Sequence, residues 1–210
     1  MFVEDNRVMN NIDDLGSDKV NMYSISKRII DVVGALCGII VFSPIFIITS
    51  ILIKLESKGN IIFKQIRVGK DSKPFYIYKF RSMKTYTPNI ATNDLKNPEM
   101  YITKVGRIIR KTSIDELPQL FNILKGDMSI VGPRPVIEKE YDLLSLRREC
   151  YVDKIKPGIT GWAQINGRDN LDAQEKVKYD KEYLYNRSTK FDIYIIFKTF
   201  IKVLKRSDIK

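Results

Sequence analysis

Residues 29–53 read IIDVVGALCGIIVFSPIFIITSILI, a run whose one charge is Asp31. A hydrocarbon core about 30 Å thick takes about 20 apolar residues as a helix, so this run is long enough to span. Ser43-Pro44 interrupts it. Proline lacks an N–H and clashes with the carbonyl four residues back, so a helix must kink or break there. The pieces on either side, about 15 and 9 residues, reach roughly 22 and 14 Å, and neither alone crosses the core. Both flanks are basic: Lys27 and Arg28 before, Lys54 and Lys58 after. The positive-inside tendency then gives no direction and suits two ends on one side. These features leave two readings open. One is a helix-break-helix that enters one leaflet and returns; the other is a kinked transmembrane helix.

Upstream, residues 1–22 hold five acids and two bases without apolar period. They are expected to form a mobile acidic tail, and they lack the basic start and apolar core of a signal peptide. Downstream, the chain becomes soluble in character. NIIFKQIRVGK (60–70) and KPFYIYKFRSM (73–83) alternate like strands and imply a hairpin. Residues 85–105 read as loop. Residues 106–124, 138–154 and 171–185 read as helices. Residues 191–206 put Phe191, Ile195, Phe197 and Ile201 among Lys198, Lys202, Lys205 and Arg206. That is a basic amphipathic helix, suited equally to an anionic membrane surface and to packing on the domain. The expected fold class is α+β: a small membrane-associated catalytic domain with an N-terminal membrane helix, a β-hairpin and several amphipathic helices. The expected division is 1–22, 23–55, 56–190 and 191–210.

Composition removes several chemistries. Among 210 residues there is no histidine, which excludes Ser-His-Asp and Cys-His catalysis and imidazole zinc sites. Cys37 and Cys150 stand alone, so neither a disulfide framework nor a cysteine metal site is implied. G-x-x-x-x-G-K-[ST], G-x-G-x-x-G and D-x-D are all absent. The net charge is +11, and residues 23–210 carry +14. Such a body suits anionic substrates or an anionic surface.

Four segments could carry chemistry. In KTSIDELPQLFN (111–122), Asp115 and Glu116 are adjacent carboxylates following Arg107, Arg110 and Lys111. Ser113 and Glu116 have the spacing of a capping box, and Asp115 would favour the positive end of a helix. The same geometry among arginines is also a phosphate site, into which a carboxylate could attack phosphorus or hold a divalent cation. In DMSIVGPRP (127–135), Pro133 and Pro135 stiffen the backbone around Arg134. A guanidinium presented rigidly loses less entropy on gripping a phosphate, although a solvated loop would look the same. In the second strand, period two places Lys79 and Arg81 on one face, a pair spaced for a diphosphate or a solvated strand end. PGITGWAQINGR (157–168) offers tight turns, the plate of Trp162, and Gln164 and Arg168 four apart.

Taken in order, KRIID, the apolar run with Ser43-Pro44, QIRVGK, YKFRSM, SIDELPQLFNILKGDMSIVGPRP and PGITGWAQINGR resemble the bacterial sugar transferase family. The similarity is to its small monotopic members, the polyprenyl-phosphate hexose-1-phosphate transferases, and it runs from Lys27 to about Lys205. The resemblance implies transfer of a sugar 1-phosphate from a UDP-sugar to undecaprenyl phosphate, with release of UMP. It implies Mg²⁺, a reentrant membrane helix broken at Ser43-Pro44, and the cytoplasmic face of a bacterial inner membrane. By resemblance Asp115 is the nucleophile and lies at the metal. Glu116 is its dyad partner, and Arg134 binds phosphate. Lys79, Arg81, Arg67, Arg110, Gln164 and Arg168 complete the expected substrate and phosphate contacts. Membrane lipid is an expected partner, a homodimer or pathway glycosyltransferases are admitted, and nucleic acid is not expected. A sugar-to-lipid glycosyltransferase releasing UDP and a non-catalytic membrane-surface module are the alternatives.

Overall fold

The structure, a computed structural model, describes residues 18–88, 95–167 and 170–205. Residues 1–17 of the expected tail lie outside these. Its last residues do not: helix α1 runs Asp18–Val41, so the helix begins within the stretch expected to be tail.

Helix α2 (Ser43–Glu56) follows at once, with Pro44 in its first turn. Proline at this position gives up an N–H that has no intrahelical partner anyway. The carbonyl that Pro44 would have served, that of Ile40, instead accepts the Ser43 hydroxyl at 2.8 Å. The two helices are bent by 61° at this break. Among the described residues no single helix is long and apolar enough to cross a membrane, whereas the bent pair passes that test together.

Both arms return to one body. Asp31, the charge inside the apolar run, is buried and accepts from the Ser129 hydroxyl at 3.0 Å and the Ile130 N–H at 2.9 Å. Arg28 donates to the carbonyls of Ile123 and Leu124. Ala35 is buried on the same face, and a Cβ at Gly34 would press into Ile130. On α2, Phe46, Thr49 and Ile53 recur at helical spacing. Phe46 meets the rings of Phe80 and Phe121 at 5.4 and 5.9 Å between centroids, and Ile53 is buried with Phe80 and Ile109. Ile40, Val41, Ile47, Ile48, Ile51 and Leu52 stay exposed near the bend and along α2.

The hairpin forms as its alternation implies. Strands β1 (Ile62–Val68) and β2 (Pro74–Phe80) pair antiparallel, with Phe63 opposite Lys79 and Arg67 opposite Phe75. Helix α3 (Lys104–Lys111) and helix α4 (Gln119–Lys125) come next, then β3 (Ser129–Val131) and helix α5 (Tyr141–Glu149). Strand β4 (Gly158–Thr160) pairs parallel with β3. The GPRP and KPGIT segments approach so closely that a Cβ on Gly132 would strike the Lys156 carbonyl, and one on Gly158 the Gly132 nitrogen. The last helices are α6 (Trp162–Ile165), α7 (Ala173–Asn186) and α8 (Thr189–Lys205).

Helix α8 packs on the domain along one side, as one of the two readings of the C-terminal segment expects. Ile195 is fully buried with Val131, Ile165 and Tyr183. Ile193, Phe197, Phe200 and Val203 remain exposed on the same helix. A buried polar knot fastens α8 to α1. Asp192 accepts from Tyr183 at 2.7 Å on one oxygen, and from Lys27 at 2.9 Å and Tyr23 at 3.0 Å on the other.

Candidate active site

The mostly helical stretch expected over 106–124 is interrupted where its carboxylates stand. Helix α3 ends at Lys111, Ile114–Glu116 form one 3₁₀ turn, and α4 begins only after Pro118. Pro118 has no N–H to continue a ladder, so the break has a local cause. Ser113 lies in the left-handed region at φ 56° and its side chain makes no capping bond. The capping box expected between Ser113 and Glu116 therefore does not form. The Glu116 N–H donates to the Ser113 carbonyl at 3.1 Å instead. A capping box does form between Asp172 and Glu175 at the start of α7. At three residues per turn, Asp115 and Glu116 project about 120° apart.

Two elements converge on this turn. Lys79 Nζ, from the end of β2, donates to Glu116 Oε1 at 2.7 Å. Arg134 Nη2, from the double-proline loop, lies 3.7 Å from the same oxygen. The turn supplies the carboxylates. Asn122 of α4 sets β2 against this helix: its Oδ1 accepts the Tyr78 N–H at 2.9 Å and its Nδ2 donates to the Tyr76 carbonyl at 2.7 Å. Asn122 is fully buried. It is a site-building residue that sequence reasoning missed, and its one signal was a polar residue inside the apolar LFNIL.

Electrostatics single out Asp115. Burial pushes its carboxyl up to about 6, and the neighbouring Glu116 charge adds to this. Lys79, Arg110 and Arg134 act the other way. Arg67 belongs to the same neighbourhood. Burial and the charge of Arg134 push its guanidinium down, while Glu140 and Glu116 oppose the shift. Its Nη2 donates to Gln65 at 2.7 Å.

The structure thus brings together Asp115, Glu116, Lys79, Arg134, Arg67 and Arg110. Arg81 goes elsewhere. Strand β2 ends at Phe80, and the Arg81 guanidinium turns back to close the C-terminal end of α2. It donates to the carbonyls of Lys58 at 3.0 Å and Ser57 at 2.7 Å, and to the Ser57 hydroxyl at 2.9 Å. Period two had paired it with Lys79; the end of the strand separates them. Gln164 is turned onto its own segment, with Nε2 donating to the Ile159 carbonyl at 3.1 Å. Trp162 is a packing residue. It meets Phe191 at 5.0 Å between centroids and donates to Glu182 at 2.9 Å. Arg168 lies outside the described residues.

No group of three or more His, Cys, Asp or Glu placed to hold a metal occurs among the described residues. This donor set fits Mg²⁺ only in its usual phosphate-assisted form, where one or two carboxylates join substrate phosphates and waters. Asp115 is the better placed of the pair, because Glu116 already serves Lys79 and Arg134.

A family profile described as bacterial sugar transferase matches residues 22–206. The UDP-N-acetylgalactosamine-undecaprenyl-phosphate N-acetylgalactosaminephosphotransferase of Aeromonas hydrophila is 42% identical over 188 residues, 87% of this chain and 44% of that protein. The UDP-glucose:undecaprenyl-phosphate glucose-1-phosphate transferase of Escherichia coli (strain K12) is 43% identical over 183 residues, 84% of this chain and 39% of that protein. The uncharacterized sugar transferase EpsL of Bacillus subtilis (strain 168) is 42% identical over 180 residues, 86% of this chain and 88% of that protein. The chain therefore spans about two fifths of the first two relatives and most of the third.

Proposed function

The chain belongs to the bacterial sugar transferase family, and from that premise we propose that it moves a sugar 1-phosphate from a UDP-sugar to undecaprenyl phosphate. The products are undecaprenyl-diphosphate-sugar and UMP. Two relatives named for undecaprenyl-phosphate sugar-phosphate transfer support the reading. The observation that carries it is the Asp115-Glu116 turn: one carboxylate fixed between Lys79 and Arg134, the other half-buried beside it and pushed up to about 6.

Phosphoryl transfer needs charge neutralisation and in-line positioning more than a strong base. Arg134, Lys79, Arg67 and Arg110 supply positive charge around the turn. Glu116 holds the first two in place. The ionised Asp115 attacks the sugar-bearing phosphorus, an acyl-phosphate bond forms, the phosphoanhydride bond breaks, and UMP leaves with its electron pair. A phosphate oxygen of the lipid then attacks the same phosphorus and the Asp115 carboxylate is released. Two steps let one anion-binding pocket serve two bulky anionic substrates in turn. Mg²⁺, held by Asp115 and the diphosphate, would neutralise charge on the substrate. One anhydride is broken and one made, so the exchange is close to thermoneutral.

The same reading puts the enzyme on the cytoplasmic face of a bacterial inner membrane, at the first membrane step of polysaccharide or glycoconjugate synthesis. Helices α1 and α2 form a reentrant hairpin. Its support is the bend at Ser43-Pro44 and the return of both arms to one body. The exposed apolar side of α8 suits the same surface.

The test is nucleotide release from a UDP-sugar and Mg²⁺, with and without undecaprenyl phosphate, read together with intact-protein mass. The expected result without lipid is at most one UMP per enzyme and a sugar-phosphate adduct mapping to Asp115. Release of UDP overturns phosphosugar transfer. UMP seen only with lipid, and no adduct, replaces the covalent route with a direct one.

A further inference from the structure

Pro133 and Pro135 stiffen the loop around Arg134, but they also remove two N–H groups by which it could be fastened. The loop is held through its carbonyls instead. Pro133 O accepts from the Gly158 N–H at 2.9 Å, and Val136 O from the Val68 N–H at 2.9 Å. Between these backbone anchors, the carbonyl of Arg134 itself accepts from a side chain, Arg147 Nη1, at 2.9 Å.

Arg147 stands on α5 and is 7% exposed. Its other face is spent on Asp180 of α7, which is 1% exposed: Nε and Nη2 reach Asp180 Oδ2 at 3.0 and 2.7 Å. Burial pushes the Asp180 carboxyl up and the Arg147 charge opposes it. Stapling α5 to α7 does not need the third bond. The apolar cluster of Val136, Leu143, Leu144 and Val177 already joins these elements. Nor would two bonds to a carboxylate require a planar, five-donor group. What requires arginine is a donor left over, held at a fixed angle to the first two, and aimed at the backbone of Arg134.

We infer that Arg147, oriented by Asp180, is the positioning residue for Arg134: it sets the depth and direction at which the loop delivers the Arg134 guanidinium to the phosphate. The inference rests on reading Arg134 as a phosphate contact. Displacement of a reacting or binding group by about 1 Å costs on the order of 100-fold, so this placement is worth a dedicated buried pair.

The experiment is a double-mutant cycle on the full chain in membranes or detergent. It reads kcat and KM for the UDP-sugar together with the thermal unfolding midpoint. Arg147→Lys keeps a positive charge beside Asp180 but cannot hold three bonds in one plane. Alone it should lower kcat/KM by about 10- to 100-fold. In an Arg134→Ala background the same change should matter by less than about twofold, because the placed group is gone. Equal losses in both backgrounds, or no loss in the first, overturn the inference while leaving the Arg134 reading intact. Near-normal turnover of Arg134→Ala alone overturns that reading instead. If Arg147→Lys does not fold, Asp180→Asn takes its place in the cycle. Failure of both to fold makes the pair a device of stability and overturns positioning.

Discussion

Asp192 and Asp115 are aspartates set among basic and polar partners, one at the joint between α1 and α8 and the other at the turn before α4. Asp192 is saturated: both of its oxygens accept, from Tyr183, Lys27 and Tyr23, and all of these are neighbours of its own fold. Asp115 has cations near it, yet burial outweighs them and its carboxyl is pushed up to about 6. The strong direct contacts of that turn go to Glu116. A carboxylate that the fold satisfies is a fastener. One that the fold removes from water without equal compensation is a strained anion, better suited to attack or to bind a cation brought by a substrate.

The sharpest test of this contrast is Asp115→Asn. It keeps shape and removes the anion, so turnover should fall by at least about 10⁴-fold, in the range expected when a covalent nucleophile is lost. Stability should move the other way. The folded-state value lies above the ordinary 3.8, so this group's contribution is present below about pH 4 and is lost as pH rises through about 6. At pH 7 the asparagine variant should therefore be more stable, by up to about 3 kcal/mol in denaturant titration. A variant that is both inactive and destabilised would make Asp115 a fastener like Asp192.

Arg134→Lys comes next. A lysine is a point charge without the guanidinium fork, and a loss of about 2–4 kcal/mol would slow kcat/KM by roughly 30- to 1000-fold. Near-normal turnover would return Arg134 to a solvated loop.

The pH profile is gentler. With Asp115 reacting as the carboxylate, kcat/KM should level off above about pH 6 and fall about tenfold per unit below it. A flat profile between pH 5 and 7 would contradict an ionised nucleophile with the raised value.

The smallest effect on catalysis belongs to Asp192→Asn. It should cost about 2–4 kcal/mol of stability, because Lys27 loses its buried counter-charge. Turnover per folded molecule should stay within about threefold. A large loss of turnover in protein that remains folded would show that the joint reaches into the chemistry.

What the sequence discloses follows from range. The break at Ser43-Pro44 and the hairpin were legible, because proline chemistry and strand alternation act over a few residues. The carboxylates and Arg134 were legible as motifs, and the structure gathers them with Lys79, Arg67 and Arg110. Arg81 was misread because period two holds only while a strand continues, and this one stops at Phe80. The Ser113 capping box was misread because spacing does not reveal a left-handed backbone at the first position. The roles of Asn122 and of the Arg147–Asp180 pair were not legible for another reason. Their partners lie 44, 46 and 33 positions away, and only packing brings them within reach.

The bend at Pro44 has a further consequence for where the hairpin tip can rest. In hydrocarbon, a peptide group without a partner costs several kcal/mol, and a chain that turns there normally drags water or a headgroup down with it. Here the proline that opens the Ile40 carbonyl is preceded by the serine that closes it. The Phe42 and Phe46 N–H groups on either side are also paired, to Gly38 and Phe42. These pairings reduce the number of open backbone groups at the bend. On the proposed reentrant reading, the exposed Ile40, Val41, Ile47 and Ile48 would draw the tip into hydrocarbon, and Ser43→Ala, by opening one more oxygen, would draw it back toward the headgroups.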